Sequence, residues 1–186
     1  MTAADARALV YRVARPEDTK AIETLDGSFT TTSVFRVTVT EEGFSFREVP
    51  VDPPLHKVFP DDGPDEEEDD GSDEDSRTYV ALDGDALAGF VTLSYDPWNR
   101  RLTVEDIEVA PAHRGRGVGR TLMGHAFDFA RERGAGHVWL EVTNVNAPAI
   151  HAYLRMGFAF CGLDTSLYEG TESAGEQALY MSMPCP

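Results

Sequence analysis

The chain has 186 residues, which is long enough to bury one good core, and its hydrophobic content of 41% is that of an ordinary globular protein. Its formal charge of −17 disfavours nucleic-acid phosphates as partners and favours cationic ligands. We therefore expect a single domain over residues 1–186.

The negative charge is concentrated in one segment. Residues 61–75 contain eleven acidic and no basic residues, which leaves about −6 for the rest of the chain. This run predicts a solvated acidic loop at residues 61–76 within the domain. Alternatively, its negative charge would attract a polycationic substrate. No segment has the apolar length of a signal peptide or membrane span, so we expect a cytoplasmic protein without a membrane partner.

The first half of the chain is expected to form antiparallel strands. A short strand at 11–13 precedes a helix that Pro16 opens. Alternation of β-branched and polar residues predicts a hairpin of strands 34–40 and 44–49. Because proline cannot donate to a strand ladder, regular structure should end at Pro50, Pro53 and Pro54.

The second half alternates strands with helices. Apolar residues at helical spacing, followed by glycine, predict helices over 117–133 and 147–156. The other predicted strands are 78–82, 87–95, 102–109, 137–142, 158–163 and 177–183. This order predicts an α/β fold with a mixed sheet.

A glycine-rich turn joins strand 102–109 to helix 117–133. Residues 114–119 read Arg-Gly-Arg-Gly-Val-Gly. Glycines let the backbone approach a ligand closely, and the N–H groups at a helix start attract phosphate. Arg120 stands where a P-loop needs lysine and where a dinucleotide loop needs its third glycine. The turn therefore predicts a pyrophosphate-binding loop of another kind.

A second signature occupies residues 138–158. It consists of a predicted strand, then Asn144 and Asn146, a short predicted helix that contains Tyr153, and finally Gly157 and Phe158. In this order and spacing, the two signatures resemble the GNAT superfamily of N-acetyltransferases. Further segments at 25–30, 47–54, 104–109 and 177–184 are similar to the streptothricin (nourseothricin) acetyltransferases of actinomycetes.

The resemblance implies the GNAT fold. In that fold a central, mostly antiparallel sheet flanked by helices splays between its fourth and fifth strands. Here those strands would be 102–109 and 137–142, and the splay would receive the pantetheine arm of acetyl-CoA. The hairpin of residues 34–49 lies where many members place a second helix, and it is a candidate wall of the acceptor site.

The resemblance also implies acetyl-CoA as co-substrate. The amide of Val109 would face the carbonyl oxygen as its negative charge grows, and one such donor is commonly worth about 3 kcal/mol. We expect no metal, because the histidines lack the spacing of a metal site. The implied cofactor-binding residues are Ile107, Glu108, Val109, Arg114, Gly115, Arg116, Gly117, Val118, Gly119, Arg120, Asn146 and Tyr153.

An amine acceptor must lose a proton before it attacks. An ammonium group of pKa about 10.4 is neutral in about one molecule in 2,500 near pH 7, a handicap of about 4.6 kcal/mol. The resemblance implies Glu141 as the general base, with Glu105, Asp106 and Glu108 as competitors for that role, and Tyr153 as a hydrogen-bond donor to the leaving thiolate. A strand bulge would change which acids share a face, so their orientation stays open. Candidate acceptor-binding residues are Trp98, Glu105, Asp106 and Glu141, with Phe35 and Tyr168 as further aromatic candidates.

The expected function is acetyl-CoA-dependent acetylation of an amino group on the β-lysine moiety of streptothricin-type antibiotics, which would confer resistance. One alternative is another cationic amine, such as an aminoglycoside, a polyamine or a protein N-terminus. A second is a non-catalytic acetyl-CoA-binding module. Relatives in the family also suggest a homodimer.

Overall fold

The computed structural model describes residues 8–59 and 74–186. Residues 61–73 of the predicted acidic loop lie outside these ranges, whereas Glu74 and Asp75 form a turn and Ser76 begins a strand. The chain divides into two compact units. Of the described residues, the first unit contains 8–27, 74–138 and 185–186, and the second contains 28–59 and 139–184. The single domain stays a prediction.

Strands and helices follow in nearly the predicted order. Predicted helices 117–133 and 147–156 are both present, and the mixed α/β class is confirmed. The elements are β1 (Val10–Val13), α1 (Thr19–Glu23), β2 (Phe29–Thr40), β3 (Gly43–Lys57), β4 (Ser76–Asp83), β5 (Ala86–Asp96), β6 (Arg101–Val109), α2 (Val118–Arg133), β7 (His137–Thr143), α3 (Ala147–Met156), β8 (Ala159–Asp164) and β9 (Ala178–Pro184).

The first unit is built on four antiparallel strands in the order β1-β4-β5-β6. Helix α2 packs on β4, β5 and β6. Its apolar residues recur at helical spacing and are buried, as the periodicity predicted. The buried residues of α2 are Val118, Leu122, Met123, Ala126, Phe129 and Ala130. Burial of each large side chain stabilises the unit by about 1.5–3 kcal/mol.

The second unit contains the β2–β3 ribbon, helix α3 and strands in the order β7-β9-β8. Buried Asn144 follows β7 and joins the parts of this unit. Its side-chain amide donates to the Phe35 carbonyl at 2.7 Å and accepts from the Gln177 N–H at 2.8 Å. The ring of Phe35 also lies 5.9 Å from that of Phe160. These contacts anchor the base of the ribbon.

The prediction that prolines end the second strand of the hairpin was wrong. Strand β3 continues through Pro50, Pro53 and Pro54 to Lys57. Among residues 8–59 and 74–186, the ribbon consists of two strands, so each of them has one partner strand. The register of this pair shifts between Thr31 and Ser33. Proline is tolerated at a strand edge or an irregularity because the missing N–H donor is not needed there.

The splay between residues 102–109 and 137–142 stays a prediction. Among the described residues, every helix is too short or too polar to cross a bilayer.

Candidate active site

Strand β6 carries three of the four acidic candidates, and its pairing with β5 decides which of them share a face. The register with β5 shifts so that Val104 and Asp106 oppose neighbouring residues, which leaves Glu105 as the extra residue of a bulge. Beyond the bulge, Asp106 and Glu108 occupy alternate positions and share a face. Glu105 instead accepts a hydrogen bond from the Ser94 hydroxyl. The orientation that the sequence left open is therefore one in which Asp106 and Glu108 lie on the same face of β6.

Glu108 lies half-buried among charged groups of the first unit. Its pKa is raised to about 7: burial is the largest cause, Asp106 and Asp26 also raise the pKa, and Arg114 lowers it. Asp106 is exposed, yet desolvation by the protein atoms around it raises the pKa of its carboxyl group, and a hydrogen bond from the Ile107 N–H lowers that pKa. A carboxyl group that titrates near neutral pH can accept a proton from an amine and then release it to solvent.

The predicted phosphate loop follows β6. Gly115 and Gly117 adopt the left-handed conformation, with φ of 71° and 83°, which residues with a side chain rarely adopt. Gly117 is also the N-cap of α2, and within the described chain no side chain caps that helix start. Two glycines thus precede the first N–H groups of a 16-residue helix, and such a helix start can hold an anion.

The arginines of the loop differ in their contacts. Arg116 and Arg120 are exposed beside the α2 N-terminus. Arg114 has a structural contact, because its Nε donates to the Val109 carbonyl at 2.8 Å and its Nη2 to the Asp26 carbonyl at 3.2 Å. Its guanidinium thus joins the end of β6 to the segment after α1. The other predicted loop contacts are Ile107 and Val109, both half-buried, buried Val118 and half-buried Gly119.

Helix α3 positions Tyr153 and Asn146 in the second unit. Asn146 is the N-cap of α3, and its Oδ1 accepts from the Ala149 N–H at 3.2 Å. Tyr153 is half-buried, and its ring lies 5.9 Å from that of Phe158. Asn146 therefore has a local role at the helix start, and its contact with a cofactor stays a prediction.

Glu141 on β7 belongs to a hydrogen-bonded group of the second unit. Burial raises its pKa, a hydrogen bond from the Tyr168 hydroxyl lowers it, and Glu176 raises it. Glu176 in turn accepts from Lys57 Nζ at 2.6 Å and from the Thr143 hydroxyl at 2.6 Å. Sequence reasoning missed Lys57 and Glu176, because no short motif contains either of them.

The aromatic candidates differ in exposure. The side chain of Trp98 is 85% exposed on a turn, whereas Phe35 is 7% exposed and forms part of the core. An open depression on the β2–β3 ribbon has two guanidinium groups that would repel a cationic acceptor. It is lined by Arg36, Thr38, Ser45, Phe46 and Arg47. We therefore do not assign this depression to the acceptor.

In the described part of the chain, a strand with two acids on one face is followed by a left-handed glycine turn and a helix start without a side-chain cap, an arrangement that suits binding of a phosphate group. The model of the acetyltransferase (GNAT) family matches residues 45–158. The chain belongs to this family, and the predicted class of enzyme is confirmed.

Similarity to individual proteins extends over the whole chain. Streptothricin acetyltransferase of Streptomyces lavendulae is 69% identical over 190 aligned residues, which cover 100% of both chains. A crystal structure of nourseothricin acetyltransferase is 70% identical, with a TM-score of 0.88 over 96% of this chain and 99% of that chain. The structure of a Bacillus anthracis str. Ames protein in complex with acetyl coenzyme A is 25% identical, with a TM-score of 0.77 over 97% and 99%. The resemblance to streptothricin acetyltransferases is confirmed.

Proposed function

We propose that this chain transfers the acetyl group of acetyl-CoA to an amino group of streptothricin-type antibiotics, on the β-lysine moiety, and so confers resistance. The observation that carries the proposal is the 69% identity to a streptothricin acetyltransferase over the full length of both chains. The cationic acceptor suits a chain of formal charge −17, because opposite charge attracts it.

The glycine turn suits the diphosphate of acetyl-CoA. Gly115 and Gly117 would let backbone N–H groups approach the phosphate oxygens, and Arg116 and Arg120 would add positive charge from exposed positions. Bound there, acetyl-CoA supplies a thioester carbonyl carbon that a neutral amine can attack.

Glu108 is the proton acceptor in this proposal. Its pKa of about 7 leaves about half of the carboxyl groups ionised at neutral pH, so the proton taken from the amine can later leave to solvent. Neighbouring Asp106 adds negative charge that attracts the ammonium form of the acceptor. Tyr153 would donate a hydrogen bond to the sulfur as it leaves.

Glu141 would hold a second cationic group of the acceptor. The Tyr168 hydroxyl donates to its carboxylate, which keeps the charged form oriented but occupies part of its capacity to accept a proton. Glu141 therefore serves recognition of the antibiotic more readily than proton removal.

The test is release of free thiol from acetyl-CoA with a panel of acceptors: streptothricin, kanamycin, spermidine and an N-terminal peptide. We expect the highest kcat/KM with streptothricin, and fragmentation mass spectrometry should locate the new acetyl group on β-lysine. Faster turnover of another acceptor would reject the substrate. Acetyl-CoA binding without turnover of any acceptor would reject the reaction in favour of a binding module.

A further inference from the structure

Gly27 and Glu108 are far apart in the sequence and lie in direct contact within the first unit. A Cβ atom added to Gly27 would stand 2.6 Å from Cδ and 2.8 Å from Oε2 of Glu108, and closer still to Oε1. Real Cβ atoms essentially never approach other heavy atoms so closely. The whole carboxyl group of Glu108 therefore occupies the space that any side chain at position 27 would need.

The need for glycine at this position is spatial. The φ angle of Gly27 lies outside the left-handed region, so its backbone conformation is open to alanine. The atoms that a methyl group would meet all belong to the end of a flexible side chain. An alanine would therefore turn the carboxyl group of Glu108 aside and leave the backbone in place.

The Gly27 segment is held against β6 by Arg114. Its guanidinium donates to the carbonyl of Asp26 at 3.2 Å and to the carbonyl of Val109 at 2.8 Å. These two carbonyls belong to the neighbours in sequence of Gly27 and Glu108. One arginine thus fixes the spacing between the glycine and the strand that carries the carboxyl group.

We propose that Gly27 is a positioning residue for the reaction. Because it has no side chain, it leaves a space, called the seat below, that the carboxyl group of Glu108 occupies, and this space sets where the carboxyl oxygens lie. The inference deepens the proposed function and rests on Glu108 being the proton acceptor. Residues 25–30 resemble a segment of streptothricin acetyltransferases, and the contact with Glu108 gives a physical reason for the glycine in that segment.

The experiment compares Gly27→Ala with a matched control, Gly124→Ala. An added Cβ at Gly124 in α2 would meet no atom within 4 Å in the described chain. We expect Gly27→Ala to lower kcat about 100-fold, as a misplacement of about 1 Å can, with KM for acetyl-CoA unchanged. We expect Gly124→Ala to match the wild type in both constants.

A second measurement is independent of turnover. Carboxyl-carbon NMR of the full chain without substrate follows the titration of Glu108. In Gly27→Ala we expect its pKa to fall from about 7 towards 4.5, because burial is the main cause of the rise and the displaced carboxyl group becomes better hydrated. A purely structural glycine would leave this titration unchanged.

Three outcomes distinguish a failure of the Gly27 proposal from a failure of the proposed function. A Gly27→Ala enzyme with wild-type kcat and wild-type titration overturns the seat. A fully active Glu108→Gln enzyme overturns the proton acceptor, while the NMR titration still decides the seat. If Gly27→Ala fails to fold, the double variant Gly27→Ala/Glu108→Ala decides: recovery of the thermal midpoint supports the seat, and continued unfolding overturns it.

Discussion

The surroundings of Glu108 bring its pKa to about 7, so its carboxyl group gains or loses a proton near neutral pH. Burial is the largest cause of its raised pKa of about 7, and only Arg114 acts in the opposite direction. Burial also raises the pKa of Glu141. Its carboxylate accepts a hydrogen bond from Tyr168, which favours the charged form. These surroundings support the proposed roles, proton removal for Glu108 and cation recognition for Glu141.

Glu108→Gln should remove the pH dependence that the free carboxylate imposes. In the wild type, kcat/KM should rise as pH increases through about 7, because only ionised Glu108 accepts a proton. Glu108→Gln should lower kcat about 10²- to 10⁴-fold and abolish this limb. The measurement is the pH–rate profile between pH 5.5 and 8.5, corrected for ionisation of the acceptor amine.

Glu141→Gln is the matched comparison for that profile. It should raise KM for the cationic acceptor and keep the limb near pH 7. If Glu141→Gln loses the limb and Glu108→Gln keeps it, the two assigned roles are reversed.

Strand β5 approaches β6 and helix α2 so closely at Gly89 that there is no room for a side chain. A Cβ atom at Gly89 of β5 would lie 2.7 Å from the Glu108 carbonyl oxygen, 3.3 Å from Leu122 Cδ1 and 3.3 Å from Val109 Cα. Two of these three atoms are backbone and cannot rotate aside. Gly89 therefore differs from Gly27, where the neighbouring atoms belong to a flexible side chain.

We expect Gly89→Ala to destabilise the fold by about 1–3 kcal/mol, the usual cost of overpacking a dense region. Urea denaturation of the full chain measures this as a lower midpoint at unchanged slope. Gly124→Ala again serves as the control, and it should be neutral or stabilising by up to about 1 kcal/mol, because alanine is the better helix former. Equal midpoints for Gly89→Ala and the wild type would contradict the close approach.

The charge of the entire chain acts on substrates before any contact forms. A formal charge of −17 attracts a polycationic acceptor and repels anionic acetyl-CoA. Salt weakens both effects, because the Debye length falls from about 30 Å at 0.01 M to about 8 Å at 0.15 M ionic strength. The two substrates should therefore respond to salt in opposite directions.

We expect KM for the polycationic acceptor to rise about 2- to 10-fold between 0.01 and 0.15 M ionic strength, while KM for acetyl-CoA stays constant or falls. Steady-state kinetics with each substrate varied in turn measures both constants. A monoamine acceptor serves as the control and should respond less. A salt-independent KM for the polycation would show that attraction by the whole chain is unimportant for this enzyme.

Much of the fold was predictable because its signals are local. Helices α2 and α3 have an apolar stripe followed by a left-handed glycine, Gly134 and Gly157, and both were predicted within one residue. Strand β3 was mispredicted because the effect of a proline depends on whether a neighbouring strand needs its N–H group. The ribbon decides that, and its pairing is not visible in local sequence.

The sequence by itself determined the family, the glycine-rich turn before α2 and the set of acidic candidates, since each depends on residues that are close neighbours along the chain. Only the tertiary structure decided the bulge at Glu105, the contact of Gly27 with Glu108 and the hydrogen bond from Tyr168 to Glu141. The physical reason is that register and burial depend on the packing of residues far apart in sequence. The pKa of a carboxyl group follows from that packing and cannot be read from the adjacent residues.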